Sequence, residues 1–242
     1  MAFYFDQITM IIETSGTFFR LSSIVCGFIF LFSTSYAEPL NFTEPPNLSL
    51  VKQQVKIYHD SGRYEKELAS VIAKAQDYIL QQITDNAQHG NKKKLAVILD
   101  IDETSLSNYN RMVQRDFIGD KNLIHKDILA ADAPAIYPML SFYHNAQKHG
   151  VNIFFVTGRP QSELQATKIN LTRAGYHHWA GLYLRPNHYN QSSIVPFKSQ
   201  TRAAIAQQGY TIIASIGDQY SDLKGGYAQK GFKLPNPFYY LP

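Results

Sequence analysis

Apolar residues recur along this chain with two different periods, and the switches between them mark out its elements. From Arg63 to about Thr84, Tyr64, Leu68, Val71, Ile72, Ala75, Tyr78, Ile79 and Ile83 advance by three and four. That spacing predicts a long amphipathic helix. Leu95-Ala96-Val97-Ile98-Leu99 is a continuous apolar run and predicts a strand over 95–101, buried on both faces. From residue 135 the patterns alternate. A helix over 135–148 stops at Gly150, and a strand over 151–156 follows. Pro160 opens a helix that ends near Gly175, followed by a strand over 181–184, a helix over 197–208 stopped by Gly209, and a strand over 211–216. Strand and helix in alternation imply an α/β domain, a parallel sheet covered by helices on both faces. Two stretches lack a period. Residues 38–60, with Pro39, Pro45 and Pro46, read as a loop and lead-in. Residues 103–134 are polar, contain Asn108, Asn110, Gly119 and Asp120, and read as a flap inserted over a strand end.

The N-terminus has a different character. Arg20 precedes an apolar stretch from Leu21 to Phe32, and Ser35-Tyr36-Ala37 offers small residues where a signal peptidase reads. This predicts a leader over 1–37 and a periplasmic or secreted protein, with no membrane span left after cleavage. Asp6 and Glu13 are unusual in such a leader, and Met10 is an alternative start. Cys26, the only cysteine, falls inside the leader, so residues 38–242 form no disulfide. Those residues suffice for one domain, with 38–90 as its helical N-terminal part and 103–134 as its flap. The formal charge is +4, and the largest basic cluster, Lys92-Lys93-Lys94, reads as a solvated lead-in to the strand. Nothing here points to nucleic acid.

Candidate chemistry gathers at the predicted strand ends. Residues two apart on a strand share a face, so Asp100 and Asp102 emerge together at an end where open α/β sheets bind ligands. Adjacent carboxylates repel unless a cation or a proton intervenes. The pair therefore asks for a metal ion and for one carboxylate able to carry a proton. Thr157-Gly158-Arg159 closes the second strand, Gly217-Asp218-Gln219-Tyr220-Ser221-Asp222 closes the last, and Lys198 opens the helix between the third and fourth. Singly, each has a plainer reading as a cap, a turn or a surface lysine. Their order and their common edge give them weight together. None of the eight histidines has a ligand spacing.

The ordered set Asp100-x-Asp102-x-Thr104, Thr157, Lys198 and Asp218 with Asp222 resembles the four motifs of the haloacid dehalogenase superfamily. Ile98-Leu-Asp-Ile-Asp-Glu-Thr-Ser-Leu-Ser-Asn108, Phe154-Phe-Val-Thr-Gly-Arg159 and Gly217-Asp-Gln-Tyr-Ser-Asp222 are similar to its secreted acid phosphatase branch, subfamily IIIB, and the tail Phe232-Lys-Leu-Pro-Asn-Pro-Phe-Tyr-Tyr240 resembles its plant-type members. That branch includes bacterial class C-like enzymes and plant vegetative storage proteins. The likeness covers roughly residues 50–242.

The resemblance implies a Rossmann-like sheet with a small helical cap formed by the N-terminal helix and the 103–134 insertion. It implies a Mg²⁺-dependent acid phosphatase that hydrolyses small phosphate monoesters, nucleoside monophosphates among them, through an aspartyl-phosphate. In that reading Asp100 is the nucleophile, and Asp102, its pKa raised by crowding, is the acid and then the base. Thr157, Gly158 and Lys198 bind the phosphoryl group. Asp100, Asp218 and the main-chain carbonyl of Asp102 hold Mg²⁺, while Asp222 orients Lys198 or reaches the metal through water. Arg159 and Arg111 either contact the phosphate or form ion pairs. Tyr109, with Phe117 and Tyr137, either stacks on the leaving group or packs the cap. Two alternatives stay open: a storage or binding protein of the same fold with little turnover, and a phosphotransferase. The intact Asp100 favours an active enzyme.

Overall fold

A computed structural model describes residues 44–241, apart from His89 and Asn91; the leader expected over 1–37 lies outside the described residues. Five strands, β1 (Lys94–Leu99), β2 (Asn152–Pro160), β3 (Gly181–Arg185), β4 (Tyr210–Gly217) and β5 (Lys230–Lys233), form one sheet in the order β3-β2-β1-β4-β5. Every pairing is parallel. The helices are α1 (Leu48–Asp60), α2 (Arg63–Gln88), α3 (Tyr109–Gln114), α4 (Lys121–Ala130), α5 (Tyr137–Lys148), α6 (Leu164–Arg173) and α7 (Val195–Gln207).

The continuous apolar run of β1 is explained by its central place. Leu95, Val97 and Leu99 face one layer, where they join Leu68, Ile72 and Ile79 of α2, Met139, Phe142 and Tyr143 of α5, and Leu171 of α6. Ala96 and Ile98 face the other layer, with Phe154, Val156, Ile212 and Ile205 of α7. Leu99 lies opposite Phe155 of β2 and Ile216 of β4. Residues just beyond these three therefore share one edge of the sheet, as the alternating pattern requires.

Several boundaries depart from the sequence reading. Where a loop is expected over 38–60, α1 forms: the Asn47 side chain accepts from the Ser49 and Leu50 N–H groups and caps it, directly after the prolines. Its stripe Val51, Val55 and Tyr58 is only half buried, so the pattern is weak. β2 continues past the expected end at 156 to Pro160, with an irregular register between Thr157 and Pro160, and α6 starts only after a 3₁₀ turn over Gln161–Glu163. The 103–134 insertion carries α3 and α4, each too short to display a helical period. β5, at the sheet edge, is a four-residue strand with no counterpart in the periodicity analysis.

Candidate active site

Asp100 leaves β1 with its N–H bonded to the Ile216 carbonyl at 3.0 Å. The chain then turns sharply. The Ile101 carbonyl accepts from the N–H groups of Thr104, Ser105 and Leu106 at 3.3, 2.8 and 2.8 Å, and Glu103 takes the left-handed backbone at φ 56°. The turn brings the Thr104 hydroxyl to Asp218 Oδ1, 3.0 Å away. From the first turns of α7, Lys198 Nζ reaches Asp100 Oδ1 at 2.8 Å and also bonds Asp222 Oδ1. Asp100, Asp218 and Asp222, all buried, offer carboxylate oxygens within 4.8 Å of one another. Gly217 is required beside them, because a Cβ there would collide with the Asp222 carboxylate. Arg202, on the same helix as Lys198, donates to the carbonyls of Asp222, Gly226 and Lys224 and so ties the acidic loop to α7.

Three buried carboxylates share one buried ammonium, Lys198, which pairs with Asp100 and Asp222, while the half-buried Lys233 ammonium acts on Asp218 and Asp222 from further out. Burial and then Asp222 push the Asp100 carboxyl well above the usual carboxylate range, with Lys198 acting the other way. Asp218 is raised by burial and by Asp222, against the amides of Asn236 and Gln219. Burial works against the Lys198 ammonium, but Asp100 and Asp222 outweigh it and hold its pKa above the ordinary value. An all-oxygen donor set with surplus negative charge fits a hard divalent cation.

Asp102 stands apart from this cluster. Arg159 Nη2 lies 2.6 Å from its Oδ1, Arg159 Nε 3.0 Å from its Oδ2, and Asn108 Nδ2 2.9 Å from Oδ1. Burial raises the Asp102 carboxyl, but the Arg159 charge and these hydrogen bonds more than offset it and hold it below the usual range. The expectation of a pKa raised by crowding is corrected accordingly. β1 ends at Leu99, and in the turn after it the Asp102 carboxylate is paired with Arg159 of β2.

The other candidates fall as follows. Thr157 is fully buried at the end of β2, and its Oγ1 accepts the Arg159 N–H at 3.2 Å. The Gly158 carbonyl accepts from Arg185 Nε at 2.7 Å. Tyr109 is buried, its ring stacked on His59 and packed against Phe238, with its hydroxyl donating to Asp60 at 2.8 Å. That ring is committed to packing, and Phe117 stacks on the same Phe238. Tyr137 is exposed. Arg111 pairs with Asp132 at 2.7 Å. Sequence reasoning missed Asn108, Gln219 and Asn236 as partners of the acids. Gln219 adjoins Asp218, but Asn236 lies 18 residues beyond it, and no spacing rule links them.

A parallel α/β sheet with these ordered residues at the ends of its strands is the framework of the haloacid dehalogenase (HAD) superfamily. Within it the chain belongs to subfamily IIIB, the acid phosphatases, whose family profile matches residues 40–242. It is 32% identical over 191 residues to Acid phosphatase 1 of Solanum lycopersicum, covering 77% of this chain and 73% of that protein. It is 36% identical over 112 residues to Vegetative storage protein 2 of Arabidopsis thaliana, covering 46% of this chain and 42% of that protein. Among solved structures it shares the fold of the class C acid phosphatase from Bacillus anthracis, with a TM-score of 0.64, 22% identity, and coverage of 79% of this chain and 86% of that one.

Proposed function

We propose that this chain is a Mg²⁺-dependent phosphomonoesterase that works through a phosphorylated Asp100. One observation carries the reading: Lys198 Nζ lies 2.8 Å from Asp100 Oδ1, inside a buried cluster of three carboxylates. An Asp100 oxygen attacks phosphorus, the bond from phosphorus to the leaving oxygen breaks, and Asp102 gives that oxygen its proton. Asp102 then takes a proton from water. The water oxygen attacks phosphorus, the bond to Asp100 breaks, and phosphate leaves. Lys198 neutralises charge on the nucleophile and the moving group, while Thr157 and Gly158 hold the phosphoryl oxygens.

Asp100, Asp218 and the main-chain carbonyl of Asp102 would hold Mg²⁺, with Asp222 setting Lys198. The ion supplies the positive charge that lets a carboxylate approach a phosphate. Asp102 begins as an ionised partner of Arg159, so it must first take up a proton, from solvent or from a monoanionic phosphate ester, and that requires the grip to shift. An arriving phosphate dianion competes for the same guanidinium.

Residues 38–242 are the catalytic domain in this reading, 103–134 its cap and 1–37 an export leader, which makes the enzyme periplasmic or secreted. Its substrates are small phosphate monoesters, nucleoside monophosphates among them. Among the described residues no helix is long and apolar enough to cross a membrane. Similarity to a vegetative storage protein favours a second reading, the same fold with little turnover.

Hydrolysis of an aryl phosphate is the test. It should stop on chelation, return with Mg²⁺, and be absent from folded Asp100→Asn. A folded, Mg²⁺-supplied wild type without turnover would favour storage, and full activity in Asp100→Asn would overturn the nucleophile.

A further inference from the structure

The geometry points to Asn236, in the segment after β5, as a positioning residue that sets which oxygen of Asp218 faces the cation. This rests on the Mg²⁺ site proposed above and adds to it a residue from outside the four motifs.

Asp218 is held from both sides by neutral donors. Its Oδ2 accepts from Asn236 Nδ2 at 2.6 Å and from Gln219 Nε2 at 2.8 Å. Among the described residues its Oδ1 accepts from the Thr104 hydroxyl alone, at 3.0 Å. A carboxylate oxygen has two lone-pair directions. Oδ2 is therefore saturated, and Oδ1 keeps one direction for a metal. With both oxygens anchored, the carboxylate cannot rotate to exchange them.

The Asn236 amide is itself oriented. Its Oδ1 accepts from the backbone N–H of Phe238 at 2.8 Å and of Tyr239 at 3.4 Å, so its Nδ2 must point the other way, at Asp218. Pro235 and Pro237 flank it and restrict the backbone around it. The segment is fastened further on. Phe238 packs on Tyr64 and Tyr109 with ring centres 5.1 and 5.3 Å apart, and the Tyr239 hydroxyl meets Glu103 Oε2 at 3.2 Å. Only a side chain with an acceptor and a donor on one short amide does both jobs at 236.

Asn236→Ser tests this. Serine keeps an acceptor for the turn but is too short to reach Asp218; Asn236→Ala serves if the serine variant folds poorly. Tyr239→Phe is the control, since it alters the same segment, near the same acids, while leaving every hydrogen bond to Asp218 in place. Calorimetry and the Mg²⁺-induced rise in melting temperature measure metal binding apart from turnover. The expected result is a Mg²⁺ dissociation constant raised about tenfold in Asn236→Ser and unchanged in Tyr239→Phe. Activity lost at low Mg²⁺ should then return as Mg²⁺ is raised. An unchanged dissociation constant in Asn236→Ser, an equal rise in Tyr239→Phe, or activity that Mg²⁺ does not restore would overturn the role of Asn236. A wild type that binds no Mg²⁺ would bring down the metal site itself, and this inference with it.

Discussion

Arg159 grips Asp102 as a fork, with Nη2 2.6 Å from Oδ1 and Nε 3.0 Å from Oδ2, while its Nη1 donates to Thr167 Oγ1 at 3.2 Å. The guanidinium is buried at the end of β2 and reaches across to the loop after β1. A lysine has no second prong with which to copy this contact.

Arg159→Met leaves Asp102 with Asn108 as its hydrogen-bond partner and should destabilise the fold by about 2 kcal/mol at about pH 7, less than for a fully buried pair because Asp102 is partly exposed. The Asp102 carboxyl is held below its ordinary 3.8 in the native state. The pair's contribution is thus present above that value and lost as pH falls through the lowered native one. Denaturant unfolding should show the gap between wild type and variant narrowing from neutral pH to a pH below 3.8. A gap of equal size at both pH values would mean that the pair is not its source.

Asp100→Asn should separate stability from activity. Burial and Asp222 both disfavour the Asp100 charge, and an amide removes that conflict while Lys198 keeps Asp222. In a chelating buffer the variant should melt at or above the wild-type temperature, although it turns nothing over. A clearly lower melting temperature would show that the Lys198–Asp100 contact outweighs the crowding.

Gly217→Ala inserts a methyl group where the Asp222 carboxylate lies. The expected cost is about 1–3 kcal/mol. Asp222 must move off Lys198, so kcat should fall together with stability. Melting curves and initial rates on one preparation check both, and unchanged kinetics would show that Asp222 does not need its present position.

Glu103, next to Asp102, gives the protein a second dependence on pH. Burial, and then the charge of Asp102, push its carboxyl from the ordinary 4.5 to about 8, against the N–H of Asn108. The unfolded chain loses that proton first. Its contribution to stability is therefore complete below 4.5 and disappears as pH climbs through about 8. Glutamine cannot ionise, so Glu103→Gln should gain on wild type steadily across this interval. Melting temperatures in a chelating buffer over that range measure the gain, and parallel curves would contradict a neutral Glu103.

The central strands were legible because each is buried on both sides and bounded by glycine or polar residues, as with Leu95–Leu99 before Asp100 and Ile212–Ile216 before Gly217. The strand-end acids follow from the parallel strand order, which brings them to one edge, and Lys198 reaches them from the first turns of α7. What failed was anything governed by a turn. The pairing of Asp102 with Arg159 was out of reach because the loop at Ile101 closes tightly, and no alternation pattern encodes that closure. Tyr109 was ambiguous because its ring is claimed by His59 of α1, in a stretch whose prolines hid the helix behind them. Asn236 was out of reach because its contact with Asp218 depends on where β5 delivers the chain, and four residues at an edge leave almost no signature.

The Glu103–Tyr239 contact joins residues 136 positions apart, and Asp218 meets Asn236 from the same late segment. During synthesis, the residue proposed as nucleophile is made long before the groups that complete its surroundings. Until residues 236–239 have been made, Asp218 and Glu103 lack these late partners, and the acidic cluster around Asp100 is unfinished.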